Sequence, residues 1–278
     1  MWQPDPMKAP KLSMRSLWSG AREAQKKVLS PQDTRQWSKD DQELWEETLL
    51  EEKAGNLEGP FTPEQLETQV GSLWIAARRF AVRQGQKLRP IDDFSEFGIN
   101  AAFGASEKVQ MKNLDQVVAW SRAWAEGVKS GTELTLEDSA GYSWREHIHA
   151  EWGVGQVGRL QGRVADLRQA YKQLPSAPAH KALGIVAVKC PSGEKKLFKS
   201  RSLMFGQAAA VYGFLRFSRA IAALATSLLS LIIIEFFDDF TQIEPASTAA
   251  SAQEAMNSLN PMRRESHSLR SSCPWGSK

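Results

Sequence analysis

Leu231-Ile232-Ile233-Ile234-Glu235-Phe236-Phe237-Asp238-Asp239-Phe240 is a run of β-branched and aromatic residues that ends in two adjacent carboxylates. The apolar part has the composition of a buried strand. Asp238-Asp239 then reads as a turn, and Thr241-Gln242-Ile243 as the start of a return strand. Such a hairpin holds both carboxylates at its tip above a fixed core, where hard oxygen ligands can hold a divalent cation. An apolar strand followed by Asp-Asp also occurs as an ordinary solvated turn, so the sequence around this stretch has to decide between the two.

Immediately upstream, 220–234 is uncharged and largely apolar. It is shorter than the roughly 20 residues a helix needs to span a bilayer. Ala220-Ile221-Ala222-Ala223-Leu224-Ala225 favours helix, whereas Leu231 to Ile234 favour strand. The expectation is a core helix over about 207–224, a break over 226–230 and a core strand, rather than a membrane span.

The chain has 278 residues, 42% of them hydrophobic and 24% charged, so a sizeable core is within reach and wholesale disorder is excluded. A net charge of +3 permits a nucleic-acid partner without arguing for one. Cys190 and Cys273 lie far apart in unlike contexts and form neither a disulfide framework nor a zinc motif. With no secretory signal in Met1-Trp2-Gln3-Pro4-Asp5-Pro6, an intracellular location, cytoplasm or nucleus, is expected.

Ahead of the apolar stretch, Trp74 to Phe94 reads as strand, glycine turn, strand. Arg78, Arg79, Arg83, Lys87 and Arg89 fall there with no acid among them. Cations gathered beside a tight turn suit a polyphosphate, although a solvated basic hairpin has the same composition. Helices are expected over 40–53, with Leu44, Leu49 and Leu50 buried. A second begins at Thr62-Pro63-Glu64-Gln65 with Leu66, Val70 and Leu73 on one face, and a third spans 113–128 with Leu114, Val117, Val118, Trp124 and Val128 inward. His147-Ile148-His149 invites a metal reading, but with no third strong ligand nearby it reads as structural or solvent-facing. Gly162-Arg163-Val164-Ala165 is a short strand that delivers Asp166 at its end, and 184–190 with 195–201 is a second hairpin. The expected divisions are a poorly ordered extension over 1–40, one folded region over 41–245, and a Ser/Ala-rich tail over 246–278, helical near 249–259 and then largely disordered.

Taken in order, these segments resemble a reverse transcriptase over roughly 74–243. Arg89-Pro90-Ile91-Asp92-Asp93-Phe94 with Asn100 looks like the fingers motif that holds the incoming nucleotide. Asp166-Leu167-Arg168-Gln169-Ala170-Tyr171 looks like the first catalytic palm motif. Leu203-Met204-Phe205-Gly206 looks like the template-positioning motif, and Phe236-Phe237-Asp238-Asp239 like the catalytic hairpin. Two positions depart from the family pattern: Phe236 stands where a tyrosine is usual, and Met204 where a proline is usual.

The resemblance implies an α+β fold of right-hand polymerase type, fingers and palm, with an antiparallel palm sheet packed on helices. It implies two divalent ions, Mg²⁺ or Mn²⁺, held by Asp166 and Asp238, with Asp239 contributing less directly and the Leu167 carbonyl completing the site. Lys87 and Arg89 would hold the triphosphate. Tyr171 would lie under the sugar and crowd out a 2′-hydroxyl, and Gly206 would let the backbone approach nucleotide or template closely. The implied partners are an RNA or DNA template with primer and deoxynucleoside triphosphates, with no membrane. The family continues past the hairpin into a helical thumb, where this sequence has a Ser-rich tail, so a truncated retroelement product is expected. An inactive remnant that at most binds nucleic acid is the alternative.

Overall fold

The computed structural model describes residues 9–30, 36–106, 112–130, 133–137, 140–147, 159–167 and 169–259. It is a mixed α+β structure that divides into two units, one formed by 1–109 with 169–214 and the other by 110–168 with 215–278. Each unit is assembled from separated stretches of chain.

The first unit begins with α1 (Met14–Ser19), α2 (Ala21–Leu29), α3 (Lys39–Lys53), β1 (Leu57–Phe61), α4 (Pro63–Val70), β2 (Ala76–Gln84) and β3 (Lys87–Asp93). The second unit supplies α5 (Leu114–Ser130), β4 (Glu133–Glu137), β5 (Ser143–His147) and β6 (Leu160–Asp166). The chain returns to the first for β7 (Ile185–Lys189) and β8 (Lys195–Ser200). Helix α6 (Ala208–Leu229) starts in the first unit and ends in the second, followed there by β9 (Ile233–Phe236), β10 (Asp239–Pro245) and α7 (Ala249–Leu259).

The first unit is built on a mixed sheet of order β1-β8-β7-β2-β3, in which β2 and β7 pair in parallel and the other neighbours are antiparallel. Strand β7 carries Ile185, Val186, Ala187 and Val188, all buried, as a central strand covered on both faces must. Two hydrophobic clusters lie against this sheet, one including Ile75, Val186 and Phe198, the other Leu66, Trp74, Ile185 and Leu197.

The N-terminal stretch corrects the sequence reading. Leu17, Ala21, Ala24 and Val28 are buried, and they recur at helical spacing across α1 and α2. Ser13 caps α1, and the buried Gln25 amide donates to the backbone carbonyls of Ser72 and Trp74. In the sequence the stripe is only a weak amphipathic signal near 20–29, because two of its four members are alanines. The region 1–40 is thus not a solvated extension over 13–29, while 1–8 and 31–35 lie outside the described residues.

Capping boxes start α3 (Ser38 with Asp41) and α4 (Thr62 with Gln65), the latter as its sequence announces. The inner face of α3 differs from expectation. Leu44 is buried, but Leu50 is exposed, and Thr48 and Glu51 take the inner positions. In α5 the expected inward face holds in part: Trp124 is buried with Trp120 stacked on it and Val117 and Val128 are half-buried, whereas Leu114 and Val118 are exposed.

The second unit holds an antiparallel sheet of order β6-β10-β9 and a two-stranded pair, β4-β5. Central β10 is buried from Phe240 onward apart from Thr241, and α7 follows it at the residues expected. Helix α6 extends to Leu229, into the break expected over 226–230, and the chain turns at Ser230 with a left-handed φ of 52°. By length and composition α6 is apolar enough to cross a membrane; 39% of its apolar window is buried, and Leu224 and Leu228 are exposed. Residues 260–278, including Cys273, lie outside the described residues, as does His149, while His147 is exposed on β5.

Candidate active site

The β9–β10 hairpin turns one residue earlier than its sequence implies. Phe236 pairs with Asp239, so Phe237 and Asp238 form the turn and Asp239 is the first residue of the return strand. Phe237 adopts a left-handed φ of 54°, and its carbonyl accepts a 2.7 Å hydrogen bond from the Ser218 hydroxyl on α6. Beneath the turn, Phe240 and Ile243 are buried, and buried Glu235 stands 2.9 Å from the Lys112 ammonium.

On its other side β10 pairs with β6 in continuous register from Asp239–Asp166 to Pro245–Leu160. Asp166, the last residue of β6, therefore stands directly opposite Asp239. The Leu167 amide donates to the Asp238 carbonyl at 3.2 Å, closing the end of the sheet. Two segments far apart in sequence thus bring Asp166, Leu167, Asp238 and Asp239 together. Burial, followed by the charges of Asp238 and Asp166, pushes the Asp239 carboxyl above the usual aspartate range. Repulsion among carboxylates is the condition a bound divalent cation relieves. Among the described residues no three acidic, histidine or cysteine side chains are preset around one point as a closed cation cage.

The other expected site residues lie in the first unit. Alternation along β2 and β3 sends Arg78, Phe80, Val82, Lys87, Arg89 and Ile91 to an exposed face and turns Arg79 and Asp92 inward. Three of the five cations have structural partners. Arg78 pairs with Glu96, Arg83 with Asp40 and Glu43, and Arg79 with Asp92 and Glu51. Lys87 and Arg89 are exposed and, among the described residues, in no ion pair, which leaves their charges available.

No family model matches the chain, and no curated protein matches it in sequence.

Tyr171 lies in a short 3₁₀ turn (Ala170–Gln173) that follows Gln169, whose φ is 55°. Its ring is 4% exposed, between Phe214 at 4.6 Å and the exposed Phe205 at 4.4 Å. Gly206 has a φ of 88°, and a Cβ there would stand 2.4 Å from the Asp92 carbonyl oxygen. The close approach that its lack of a side chain permits is therefore taken by the Asp92 carbonyl. Asn100 secures the same loop: its amide donates to the Gly206 carbonyl at 2.8 Å and its oxygen accepts from the Ala208 amide at 2.8 Å.

Reading the sequence missed the buried ion cluster of the first unit. Arg79 forks onto both Asp92 oxygens at 2.7 and 3.0 Å and reaches Glu51 at 3.2 Å, and Lys172 holds the second Glu51 oxygen at 2.5 Å. Burial alone would raise the Glu51 carboxyl, but the Arg79 and Lys172 charges outweigh it and hold the group below the usual range. A signal was present: the period-two pattern of β2 puts Arg79 on the inward side with Ala77, and the helical pattern of α3 puts Glu51 beneath Leu44 and Thr48.

Proposed function

We propose that the chain is a reverse-transcriptase-like nucleotidyltransferase of fingers-and-palm type, of the kind retroelements encode, acting inside the cell on primed template and deoxynucleoside triphosphates with no membrane partner. The observation that carries this reading is the pairing of Asp166 with Asp239, with Asp238 on the adjoining turn. It is what two-metal phosphoryl transfer asks of two separate segments of chain.

Two divalent ions, Mg²⁺ or Mn²⁺, when bound would activate the primer 3′-hydroxyl and offset charge on the leaving pyrophosphate. Asp166 and Asp238 would hold them, with Asp239 and the Leu167 carbonyl in support. Lys87 and Arg89, in no ion pair among the described residues, would offer their charges to the triphosphate oxygens, the arginine in bidentate fashion. By the resemblance Tyr171 would lie under the sugar and crowd out a 2′-hydroxyl; in the structure its buried ring packs against Phe205 and Phe214. Gly206 acts through the loop it shapes.

The test is extension of a primed RNA template by the full chain with Mg²⁺ and deoxynucleotides. Extension lost in Asp166→Asn and in Asp238→Asn supports the reading; no extension by the unaltered chain overturns it. One observation favours a second reading, an inactive protein that binds nucleic acid: the lack of a preset three-ligand cage among the described residues. Salt-sensitive binding to primed template without incorporation would establish it.

A further inference from the structure

Ser218 is completely buried in the middle of α6, a helix whose other buried residues nearby, Phe214, Leu215, Ile221 and Ala222, are apolar. A hydroxyl in such a place needs a hydrogen-bond partner. That of Ser218 donates at 2.7 Å to the carbonyl of Phe237 in the β9–β10 turn. Phe237 is the first of the two turn residues between the paired Phe236 and Asp239. Its φ of 54° is left-handed, a conformation that glycine, asparagine or aspartate usually supplies in two-residue hairpin turns. A phenylalanine holds it only where the surroundings over-determine the backbone. The Ser218 bond is one such constraint, and the edge-on contact of the Phe236 and Phe237 rings, with centroids 5.2 Å apart, is another. On the far side of Asp238, the Leu167 amide donates to the Asp238 carbonyl at 3.2 Å. The peptide groups before and after Asp238 are thus each anchored from outside the hairpin, one by α6 and one by the segment that carries Asp166. Ser218, Asp238, Asp239 and Asp166 all belong to the second unit.

From this geometry we infer that Ser218 is a positioning residue for the Asp238 carboxylate. By fixing the peptide that joins Phe237 to Asp238, it sets the direction in which that carboxylate leaves the turn beside Asp166 and Asp239. The inference rests on the reading of these carboxylates as a divalent-cation site and adds to it a supporting residue from α6. Loss of a partner that orients a metal ligand costs about 10–100-fold in metal affinity. Ser218→Ala removes only the hydroxyl and puts the best helix former in its place. The Phe237 carbonyl is then released and the left-handed turn loses the bond that holds it. Asp238 can then move, while the β6–β10 register that sets Asp166 opposite Asp239 is kept.

The experiment titrates the full chain with Mn²⁺ and reads the free ion by its paramagnetic resonance signal, for the unaltered chain, Ser218→Ala and Ser218→Thr. Nucleotide and template are left out, so the readout is independent of turnover. Melting curves fix a temperature at which every protein is folded. There the Mn²⁺ Kd should rise about tenfold in Ser218→Ala and stay within about twofold in Ser218→Thr, which keeps the hydroxyl. A serine that only supports the fold would change the melting temperature and leave Kd alone. If Ser218→Thr does not fold, Ser218→Cys takes its place; its weaker donor should give an affinity between those of the unaltered chain and Ser218→Ala. Unchanged Kd in Ser218→Ala, or the same raised Kd in Ser218→Ala and in the folded variant that keeps a donor, overturns the assignment alone. No Mn²⁺ binding by the unaltered chain, or binding that Asp166→Asn and Asp238→Asn leave unchanged, overturns the cation reading and the assignment with it.

Discussion

Asp166 and Asp239 stand directly opposite each other on adjacent antiparallel strands, with Asp238 on the turn beside them. Like charges facing across a sheet are unfavourable, and burial together with this repulsion raises the Asp239 carboxyl. A raised folded-state value means that Asp239 favours the fold below its ordinary value of 3.8 and that this contribution is lost as pH rises through the folded-state value. Asp239→Asn should therefore stabilise the protein at neutral pH by about 0.5 kcal/mol, since the group is exposed and screened. The gain should vanish in acid below the ordinary aspartate value. Thermal unfolding of both proteins across that pH range measures it.

A cation that relieves the same repulsion binds the folded chain and not the unfolded one. Saturating Mg²⁺ or Mn²⁺ should raise the melting temperature by about 3 °C. Asp166→Asn and Asp238→Asn should each remove most of that rise. Calorimetry with and without the ion, in unaltered and substituted chains, reads it independently of turnover. An equal rise in all three proteins would place the ion elsewhere.

Much of the site was legible because its parts obey local rules. A run of β-branched and aromatic residues marks β9, and β6 ends at Asp166 as expected. The turn was misplaced by one residue because Asp-Asp is the better turn sequence. The observed register instead gives the turn to Phe237, held through its carbonyl by Ser218, a residue distant in sequence. The inner faces of α3 and β2 were misread for a different reason. Hydrophobic patterning assigns charged residues outward, whereas Arg79, Asp92 and Glu51 satisfy one another inside. Leu50 and Phe80 are exposed in consequence. The division into two units follows from chain returns that periodicity does not record.

Because Arg79 is structural, its loss should be felt in stability rather than in nucleotide binding alone. Arg79→Ala leaves Asp92 and Glu51 buried without their shared cation, which costs about 3–5 kcal/mol. Arg83, on the same strand but paired with Asp40 and Glu43 at the surface, should cost less than about 1 kcal/mol when replaced by alanine. Urea unfolding of the two variants compares them directly. Similar losses would refute the division of β2 into a buried and a solvated charge.

Gly206→Ala tests the loop. A left-handed φ disfavours any side chain, and the new Cβ would meet the Asp92 carbonyl oxygen, a backbone atom that cannot rotate away. Destabilisation of about 2–3 kcal/mol is expected, with the Asn100 hydrogen bonds to this loop weakened as the backbone shifts. A substitution without effect on unfolding would mean that the loop relaxes freely.

Lys87 and Arg89 are the converse case, since their charges contribute to no ion pair among the described residues and their side chains are exposed on β3. Replacing both by alanine should leave the melting temperature within about 1 °C, as surface changes away from buried contacts do. Loss of two charge-assisted phosphate contacts should weaken nucleotide binding by about 3 kcal/mol, a KM increase on the order of 10²-fold. The effect should shrink as salt concentration rises, because exposed charges are screened. A double variant that melts normally and binds nucleotide as tightly as the unaltered chain would show that this face of the hairpin serves another ligand, and the triphosphate would have to be held by other cations of the protein.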